Sequence, residues 1–247
     1  MPRLSVVIPA RAEAGQIGGV LDRLFDAVRM SCEVLVVVDS SGDETVAAVD
    51  AYAEKQPELA CLVSSYGPGP ANAIRFGADA ARGGVIVVMM ADGSDDPAQV
   101  DALARLVERG VAVAAASRYM PGGQQVGGPV LKRVLSRAAG RSLQLLARAG
   151  TRDATNSFKA YSAAFVAAVG IDSRRGFEVG LELTAKARRL RLPVAELPTI
   201  WLDRRHGQSS FRLTSWLPGY LRWYLFCFGR RLPLPELRVR ATSGHRG

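Results

Sequence analysis

Acidic residues are concentrated directly after the fourth apolar run of the chain, VIVVMM, where Asp92, Asp95 and Asp96 fall within five residues. Carboxylates at this density suit a divalent cation that carries phosphate, because Mg²⁺ usually takes one or two carboxylates and completes its shell with phosphate and water. Beside Asp92, either Asp95 or Ser94 could add a ligand, directly or through water. A turn followed by a helix that begins at Pro97 is the alternative explanation of the same residues.

Polar residues also follow the three earlier apolar runs. Pro9, Arg11 and Glu13 end the first run, Asp39 follows the second, and the loop YGPGP, which contains Gly69, follows the third. Glycines in such a loop let the backbone approach a ligand closely. Each feature alone could be an ordinary turn, but together they indicate one binding edge.

The elements that must position these residues alternate regularly in the first half of the chain. The apolar runs expected to be strands are 4–9, 33–38, 60–64, 85–90 and 111–116, and the helical patterns between them are 17–30, 44–55, 71–82 and 97–109. Continuous apolar runs that alternate with helices predict an α/β fold with a mostly parallel sheet covered on both faces. Ligands bind such sheets beyond the carboxyl ends of the strands, where the polar residues lie.

The second half of the chain is less regular. We expect a Gly-rich loop at 121–129, a helix that ends near 148, a polar segment at 152–159, helices near 163–169 and 177–190, and a strand at 194–197.

Charge is unevenly distributed along the 247 residues, whose formal net charge is +9. Residues 204–247 contain nine arginines and one acid, so the rest of the chain is nearly neutral. With 48% hydrophobic and 22% charged residues, the composition excludes a disordered chain and a multi-span membrane protein. The neutral body and the absence of a nucleic-acid motif argue against nucleic-acid binding.

The chain resembles inverting family-two glycosyltransferases in three segments. LSVVIPARAEAGQI is similar to their opening strand, VVVDSSGDET to their second-strand aspartate turn, and YGPGPANAIRFGADAARGGVIVVMMADGSDDP to their Gly-rich helix and acidic motif. The segments SRYMPGGQQ, LSRAAG and RDATNSFKAY resemble the polyprenyl-phosphate branch, the relatives of dolichyl-phosphate mannose synthase. The resemblance runs from about residue 4 to residue 210.

This resemblance implies a GT-A (Rossmann-like) catalytic domain over 1–210, followed by a basic, aromatic membrane-interface segment and tail over 211–247. It implies transfer of a mannose- or glucose-like sugar from a nucleotide-diphosphate donor to a polyprenyl phosphate of the dolichyl or undecaprenyl type, with inversion. Lipid phosphate is largely a dianion at neutral pH, because its second pKa lies near 6. Such a nucleophile needs no general base, which fits a chain with only two histidines, His206 and His245.

The resemblance also assigns residues to each part of the reaction. The nucleotide-sugar site comprises Pro9, Arg11, Glu13, Asp39, Gly69, Ala91 and Asp92. The acceptor phosphate site comprises Arg118, Lys132, Arg133, Ser136, Arg204 and Arg205, with Arg152 and Asp153 on the same side. Asp92 and Ser94 are the expected ligands of Mg²⁺ or Mn²⁺, and the expected catalytic residues are Asp92, Arg118 and Arg204.

The chain departs from the family pattern at Met90, which stands where the first aspartate of the Asp-x-Asp pair is expected. The opening motif has Arg11-Ala12 in place of Tyr-Asn, and the second-strand turn is one residue shorter than usual and lacks its second acid. Two alternatives therefore stay open. One is the same fold acting on a soluble or another lipid acceptor, and the other is a non-catalytic nucleotide-sugar-binding paralogue.

The segment 211–228 contains seven of the 17 aromatic residues, and we expect Pro218 to break its helix between Trp216 and Tyr220. Trp and Tyr with interspersed Arg are typical of a membrane interface, although a helix docked on its own domain has the same pattern. We expect no signal peptide, because the first apolar run is short, and no stretch of about 18 apolar residues occurs. Three scattered cysteines favour a reducing compartment. We expect a cytoplasmic protein, peripheral on the inner face of the membrane, with room for a separate membrane protein as partner.

Overall fold

The computed structural model describes residues 1–203 and 213–237. The strands are β1 (Leu4–Ala10), β2 (Cys32–Val38), β3 (Leu59–Val63), β4 (Val85–Val88), β5 (Val113–Ser117), β6 (Gln124–Val126), β7 (Lys159–Ser162), β8 (Val194–Pro198) and β9 (Ile200–Leu202). The helices are α1 (Ala14–Ala27), α2 (Glu44–Ala53), α3 (Pro70–Ala80), α4 (Val100–Glu108), α5 (Val130–Leu145), α6 (Ala163–Val169), α7 (Val179–Leu190) and α8 (Leu213–Cys227). A short 3₁₀ turn, Pro97–Gln99, precedes α4.

A seven-stranded sheet in the order β3-β2-β1-β4-β7-β5-β8 forms the centre of the fold. All its pairings are parallel except those of β7. Every residue of β1 is buried, because helices cover both faces of the sheet. Burial on both faces explains why the strands read as continuous apolar runs, and the mostly parallel sheet is the one predicted from them.

Strand β7 runs antiparallel between β4 and β5, and the sequence pattern did not predict it. Its first residue, Lys159, pairs with Val88 near the carboxyl end of β4 and with Ala115 of β5. The polar segment that precedes β7 is therefore delivered to the same edge as the ends of the parallel strands.

A two-stranded parallel ribbon, β6 with β9, lies beside this edge. The amide of Leu202 donates to the carbonyl of Ser94 at 3.2 Å, and the amide of Asp203 donates to the carbonyl of Val126 at 2.9 Å. The ribbon therefore contacts the acidic turn that follows β4.

Helix α8 is continuous through Pro218, so the predicted break at this proline is wrong. Its neighbour Gly219 serves close packing, because a Cβ at this position would lie 3.3 Å from the Glu178 carboxyl group. Trp223 is 1% exposed and donates its indole N–H to the Ser173 hydroxyl at 3.0 Å. These contacts hold α8 against α7 and outweigh the local preference of proline.

Candidate active site

The ends of β2 and of the Gly-rich loop are joined through Asp39. Both carboxylate oxygens of Asp39 accept from the amide of Gly69 at 3.1 Å. Gly69 has φ +110°, and a Cβ there would come within 2.7 Å of the Arg175 carbonyl oxygen. Only glycine fits this position without a shift of backbone, so the loop between β3 and α3 is fixed at the sheet edge.

The turn after β1 is anchored to the start of α2. Ala12, at φ +55°, donates its amide to the Asp43 carboxylate at 3.0 and 3.2 Å, and Asp43 also caps α2 by accepting from the Thr45 amide at 2.9 Å. Partial burial favours a higher pKa for Asp43, but the hydrogen bonds from Thr45 and Ala12 outweigh it and lower that pKa. Arg11 and Glu13 are thereby held at the edge, while Pro9 lies buried within β1.

The acidic turn after β4 contains the predicted metal ligands. Asp92 is half-buried, and its Oδ1 accepts from the Ser94 amide at 3.0 Å. The Ser94 hydroxyl is buried and has no hydrogen-bond partner among the described residues. Ala91 is buried between Met90 and Asp92. The turn also borders a cavity of about 490 Å³.

The other two acids of the turn have different environments. Asp96 accepts from the Ala98 amide at 3.1 Å and caps the 3₁₀ turn, as the alternative explanation proposes for it. Asp95 is 4% exposed and accepts from the Met90 amide at 2.9 Å. Burial raises the pKa of Asp95 to about 7, against the hydrogen bond from Met90 and with the help of the Asp92 charge.

The oxygen atoms available at this turn suit a cation whose coordination shell is completed by phosphate. Within residues 1–203 and 213–237, no group of three or more His, Cys, Asp or Glu residues could hold a metal by itself. The Asp92 carboxylate and the unpartnered Ser94 hydroxyl nevertheless supply two oxygens, and a diphosphate can complete the shell of Mg²⁺ or Mn²⁺. Asp92 and Ser94 therefore fit the predicted metal site.

A buried ion pair lies at the end of β5, on the side of the edge predicted to meet the acceptor. Arg118, directly after β5, donates from Nε to Asp153 Oδ2 at 2.7 Å and from Nη2 to Oδ1 at 2.8 Å. Burial opposes the charge on both groups, but each stabilises the other, so the pKa of Arg118 is raised and the pKa of Asp153 is lowered. The two bonds to Asp153 use Nε and Nη2, which leaves the donors of Nη1 outside this pair.

Two hydroxyl groups extend this ion pair towards α5. Ser136 lies 2.6 Å from the Thr155 hydroxyl and 3.5 Å from Arg118 Nη2. The segment before β7 thus joins β5 to α5. Thr155 was not identified from the sequence.

Lys159 is a further functional candidate that sequence reasoning missed. It is fully buried, and its ammonium group donates to the carbonyls of Ala154, at 3.0 Å, and Asn156. Burial lowers the pKa of Lys159 to about 7, while the charges of Asp153 and Asp95 act in the opposite direction. Lys159 therefore lies within electrostatic reach of Asp95 in the acidic turn and of Asp153 in the ion pair.

The remaining predicted acceptor residues are spread more widely. Arg133 is half-buried on α5. Lys132 is on the same helix, and its side chain is not among those that the structure describes. Arg204 and Arg205 lie outside the described residues. Arg152, also predicted on the acceptor side, pairs through its guanidinium with Glu196 of β8 at 2.6 Å.

The chain belongs to the glycosyltransferases of family 2, since the family model "Glycosyl transferase family 2" matches residues 5–170. It is 31% identical over 213 residues to the undecaprenyl-phosphate mannosyltransferase of Micrococcus luteus, a match that covers 84% of this chain and 87% of that protein. It is 30% identical to the polyprenol monophosphomannose synthase of Mycolicibacterium smegmatis, over 84% of this chain and 80% of that protein. The resemblance to the polyprenyl-phosphate branch is confirmed.

The fold matches a solved glycosyltransferase as well. Glucosyl-3-phosphoglycerate synthase from Mycobacterium tuberculosis, crystallised with Mn²⁺ and uridine diphosphate, superimposes with a TM-score of 0.65 at 20% identity. The superposition covers 93% of this chain and 81% of that chain. The predicted GT-A fold is confirmed, and the chain is a family-two glycosyltransferase.

Proposed function

We propose that this enzyme transfers a hexose from a nucleotide-diphosphate donor to a polyprenyl phosphate, with inversion at the anomeric carbon. The observation that carries the proposal is the buried Arg118–Asp153 pair at the same sheet edge as Asp92. A fixed guanidinium opposite a carboxylate turn suits an anionic acceptor facing a diphosphate donor. Two relatives, 31% and 30% identical to this chain, are named as an undecaprenyl-phosphate mannosyltransferase and a polyprenol monophosphomannose synthase.

On the donor side, Asp39, Gly69 and the turn around Arg11 and Glu13 form the nucleotide pocket. The Asp39–Gly69 contact holds the loop so that its backbone can approach the nucleotide. Asp92 and Ser94 would hold Mg²⁺ or Mn²⁺, and the bound cation would offset the charge of the leaving diphosphate.

On the acceptor side, Arg118 would bind the lipid phosphate through Nη1, with Ser136 beside it. Asp153 keeps the guanidinium oriented and protonated, so the positive charge is preorganised before the acceptor arrives. Lys132, Arg133, Arg204 and Arg205 remain proposed contacts to the same phosphate. Because the phosphate is already an oxyanion, it can attack without proton removal, and in-line attack inverts the anomeric centre.

We assign residues 1–210 to catalysis and residues 211–247 to the contact with the membrane that carries the acceptor. Leu217, Leu221 and Leu225 share one face of α8 and are 51–60% exposed. Nothing in the described part of the chain forms a helix long and apolar enough to cross a bilayer. The proposed location is the inner face of the cytoplasmic membrane, where a separate membrane protein could join it.

A second candidate function is nucleotide-sugar binding without turnover, which Met90 favours because it removes one carboxylate from the expected metal pair. Transfer to a soluble acceptor is less well supported, since it gives no role to the exposed leucines of α8.

Donor binding tests the first step of the proposal. We expect a nucleotide sugar to raise the melting temperature of the wild type only when Mg²⁺ or Mn²⁺ is present. Asp92→Asn should abolish this metal-dependent rise, whereas the neighbouring Asp96→Asn should keep it, because Asp96 only caps a turn. An equal loss in both variants would contradict the assigned metal ligands.

A further inference from the structure

A second cavity lies far from the acidic turn. It measures about 780 Å³ and is lined by nine residues, five of which are arginines: Arg148, Arg188, Arg191, Arg230 and Arg231. We call it the arginine pocket. Val194, which also lines it, begins β8 and pairs with Val113 at the start of β5. The pocket is therefore at the amino end of these strands, away from Asp92 and Arg118.

The charge of the arginine pocket is not neutralised by the protein around it. No carboxylate lines the cavity as far as the chain is described, and none of its five arginines forms an ion pair with a described residue. The undescribed residues 204–212 and 238–247 contain no Asp or Glu. Several cations around one cavity repel each other, and a bound anion would relieve that repulsion.

The arrangement of the arginines is defined by the backbone around them. Arg188 donates to the carbonyl of Ala147 at 2.6 Å and to that of Gly229, which joins the ends of α5, α7 and α8. Arg148 and Arg191 have φ values of +55° and +57°, in the left-handed region that favours glycine. Two of the three described non-glycine residues in this region thus line one cavity.

Exposed leucines accompany the pocket. Leu145 and Leu146, 72% and 74% exposed, precede Arg148 along the chain, and Leu192, 38% exposed, lines the pocket itself. Leu225, 60% exposed, lies in the last turn of α8, shortly before Arg230. Cations beside exposed apolar side chains match the two layers of a membrane surface, where phosphate lies above acyl chains.

We propose that the arginine pocket binds the phosphate of an anionic phospholipid headgroup, while the neighbouring leucines contact the acyl layer. The ligand is a bulk membrane lipid, and its site is separate from the site of the reacting acceptor phosphate. The inference concerns binding alone and does not depend on sugar transfer, so its failure and the failure of the proposed function can be told apart.

The test uses the full chain with vesicles of phosphatidylcholine alone or of equal parts phosphatidylcholine and phosphatidylglycerol. The first variant, Arg148→Gly with Arg191→Gly, removes two charges at positions where glycine adopts the native φ without strain, so its melting temperature should not fall. The second variant is Arg230→Gln with Arg231→Gln. The control, Arg29→Gln with Arg109→Gln, removes two exposed charges elsewhere.

We expect wild type and control to cosediment with the phosphatidylglycerol vesicles and both pocket variants to bind them at least about tenfold more weakly, as expected for two lost basic contacts at an anionic surface. Equal binding of the pocket variants and the control would overturn the proposal. Inorganic phosphate added without vesicles supplies the second arm. Phosphate could raise the melting temperature of the wild type but not of the pocket variants, while vesicle binding is unchanged in those variants. That result would assign the pocket to a soluble anion and would also overturn the proposal.

Discussion

Asp92 and Arg118 are the residues on which the proposed chemistry depends most, and each has a partner that fixes it. Asp92 is oriented by the Ser94 amide, and Arg118 is held in two places by Asp153. The proposed reaction needs no general base, because the attacking phosphate is already an oxyanion. In the proposed mechanism, the residues around Asp92 and Arg118 set the affinity for the cation and for the acceptor phosphate.

Met90 lowers the number of carboxylates at the proposed metal site, so its replacement by aspartate should increase metal affinity. For Met90→Asp we expect the concentration of Mn²⁺ that half-saturates donor binding to fall by about tenfold, because affinity rises with the charge of the ligand set. Met90→Leu is the matched control and should leave this concentration unchanged. A metal requirement that stays the same in Met90→Asp would show that residue 90 does not face the cation.

The planar guanidinium of Arg118 donates two hydrogen bonds to one carboxylate, a geometry that the single ammonium group of lysine cannot reproduce. Arg118→Lys should raise the KM for polyprenyl phosphate by about a hundredfold and leave the KM for the donor nearly unchanged, because the bidentate contact with Asp153 is lost. Arg109→Lys, at an exposed position, is the control. Equal changes in both KM values would indicate a structural role instead. Steady-state kinetics with each substrate varied in turn provide the measurement.

Strand ends and the Gly-rich loop predicted Asp39, Gly69 and Asp92 at one edge of the sheet, whereas Arg118 was assigned from the resemblance of the segment SRYMPGGQQ. The sequence did not identify Lys159 as a buried group between the two sides. The burial of Lys159 results from the insertion of β7 between β4 and β5, a long-range pairing that leaves no local pattern.

At the scale of elements, the edge of the sheet opposite the active site is tied together by Glu33 at the start of β2. Its carboxylate accepts from the Ser5 hydroxyl at 2.6 Å and from the Arg82 amide and Nε, both at 2.7 Å. Ser5 in turn accepts from the Gly83 amide at 2.9 Å. This network joins β1 and β2 to the connection between α3 and β4.

The network predicts how stability depends on pH. Burial favours a higher pKa for Glu33, but hydrogen bonds from Ser5 and Arg82 outweigh it and lower the pKa below its ordinary value of 4.5. Its stabilisation is therefore complete above pH 4.5 and is lost as the pH falls through the lower pKa of the folded state. Glu33→Gln should be less stable than wild type at pH 7, and the difference should shrink in acid.

Denaturant unfolding at several pH values measures this difference. Glu108→Gln is the control, because Glu108 forms an exposed pair with Arg3, and such pairs contribute only about 0–1 kcal/mol. A difference between Glu33→Gln and wild type that does not change with pH would contradict the assignment.

Helix α8 shows where local sequence rules failed. Pro218-Gly219 reads as a helix break, yet the helix continues because Gly219 allows close contact with Glu178 and Trp223 fills a buried site. Of the two explanations for the aromatic residues, a membrane interface or a helix docked on its own domain, the second holds for Trp223, Tyr220 and Tyr224, which pack against the protein. The leucines between the aromatic residues form the exposed face instead, and spacing alone could not decide between these two faces.

At the scale of the whole molecule, the net charge of +9 and the exposed leucines are the features that support the proposed contact with an anionic membrane. Removing α8 would not test this surface cleanly, because it would also remove buried Trp223 and Cys227. Replacing Leu217, Leu221 and Leu225 by Gln should weaken vesicle binding by at least about tenfold, since each buried leucine contributes about 1.5–3 kcal/mol.

Nucleotide-sugar binding should be unchanged in the leucine variant, because these side chains point away from the core. Val63→Gln, at an exposed apolar position on the edge strand β3, is the control for general surface hydrophobicity. Vesicle flotation and donor-induced thermal shifts measure the two properties. Unchanged flotation of the leucine variant would remove α8 from the membrane contact.

Transfer of labelled sugar to a lipid tests the central claim most directly. Wild type is incubated with undecaprenyl phosphate, Mn²⁺ and one of several labelled donors, such as GDP-mannose or UDP-glucose, and the organic phase is extracted. We predict label in a polyprenyl-phosphate product of inverted anomeric configuration with one of these donors, and none with Asp92→Asn. Donor binding by the wild type without any lipid-soluble product would contradict the central claim.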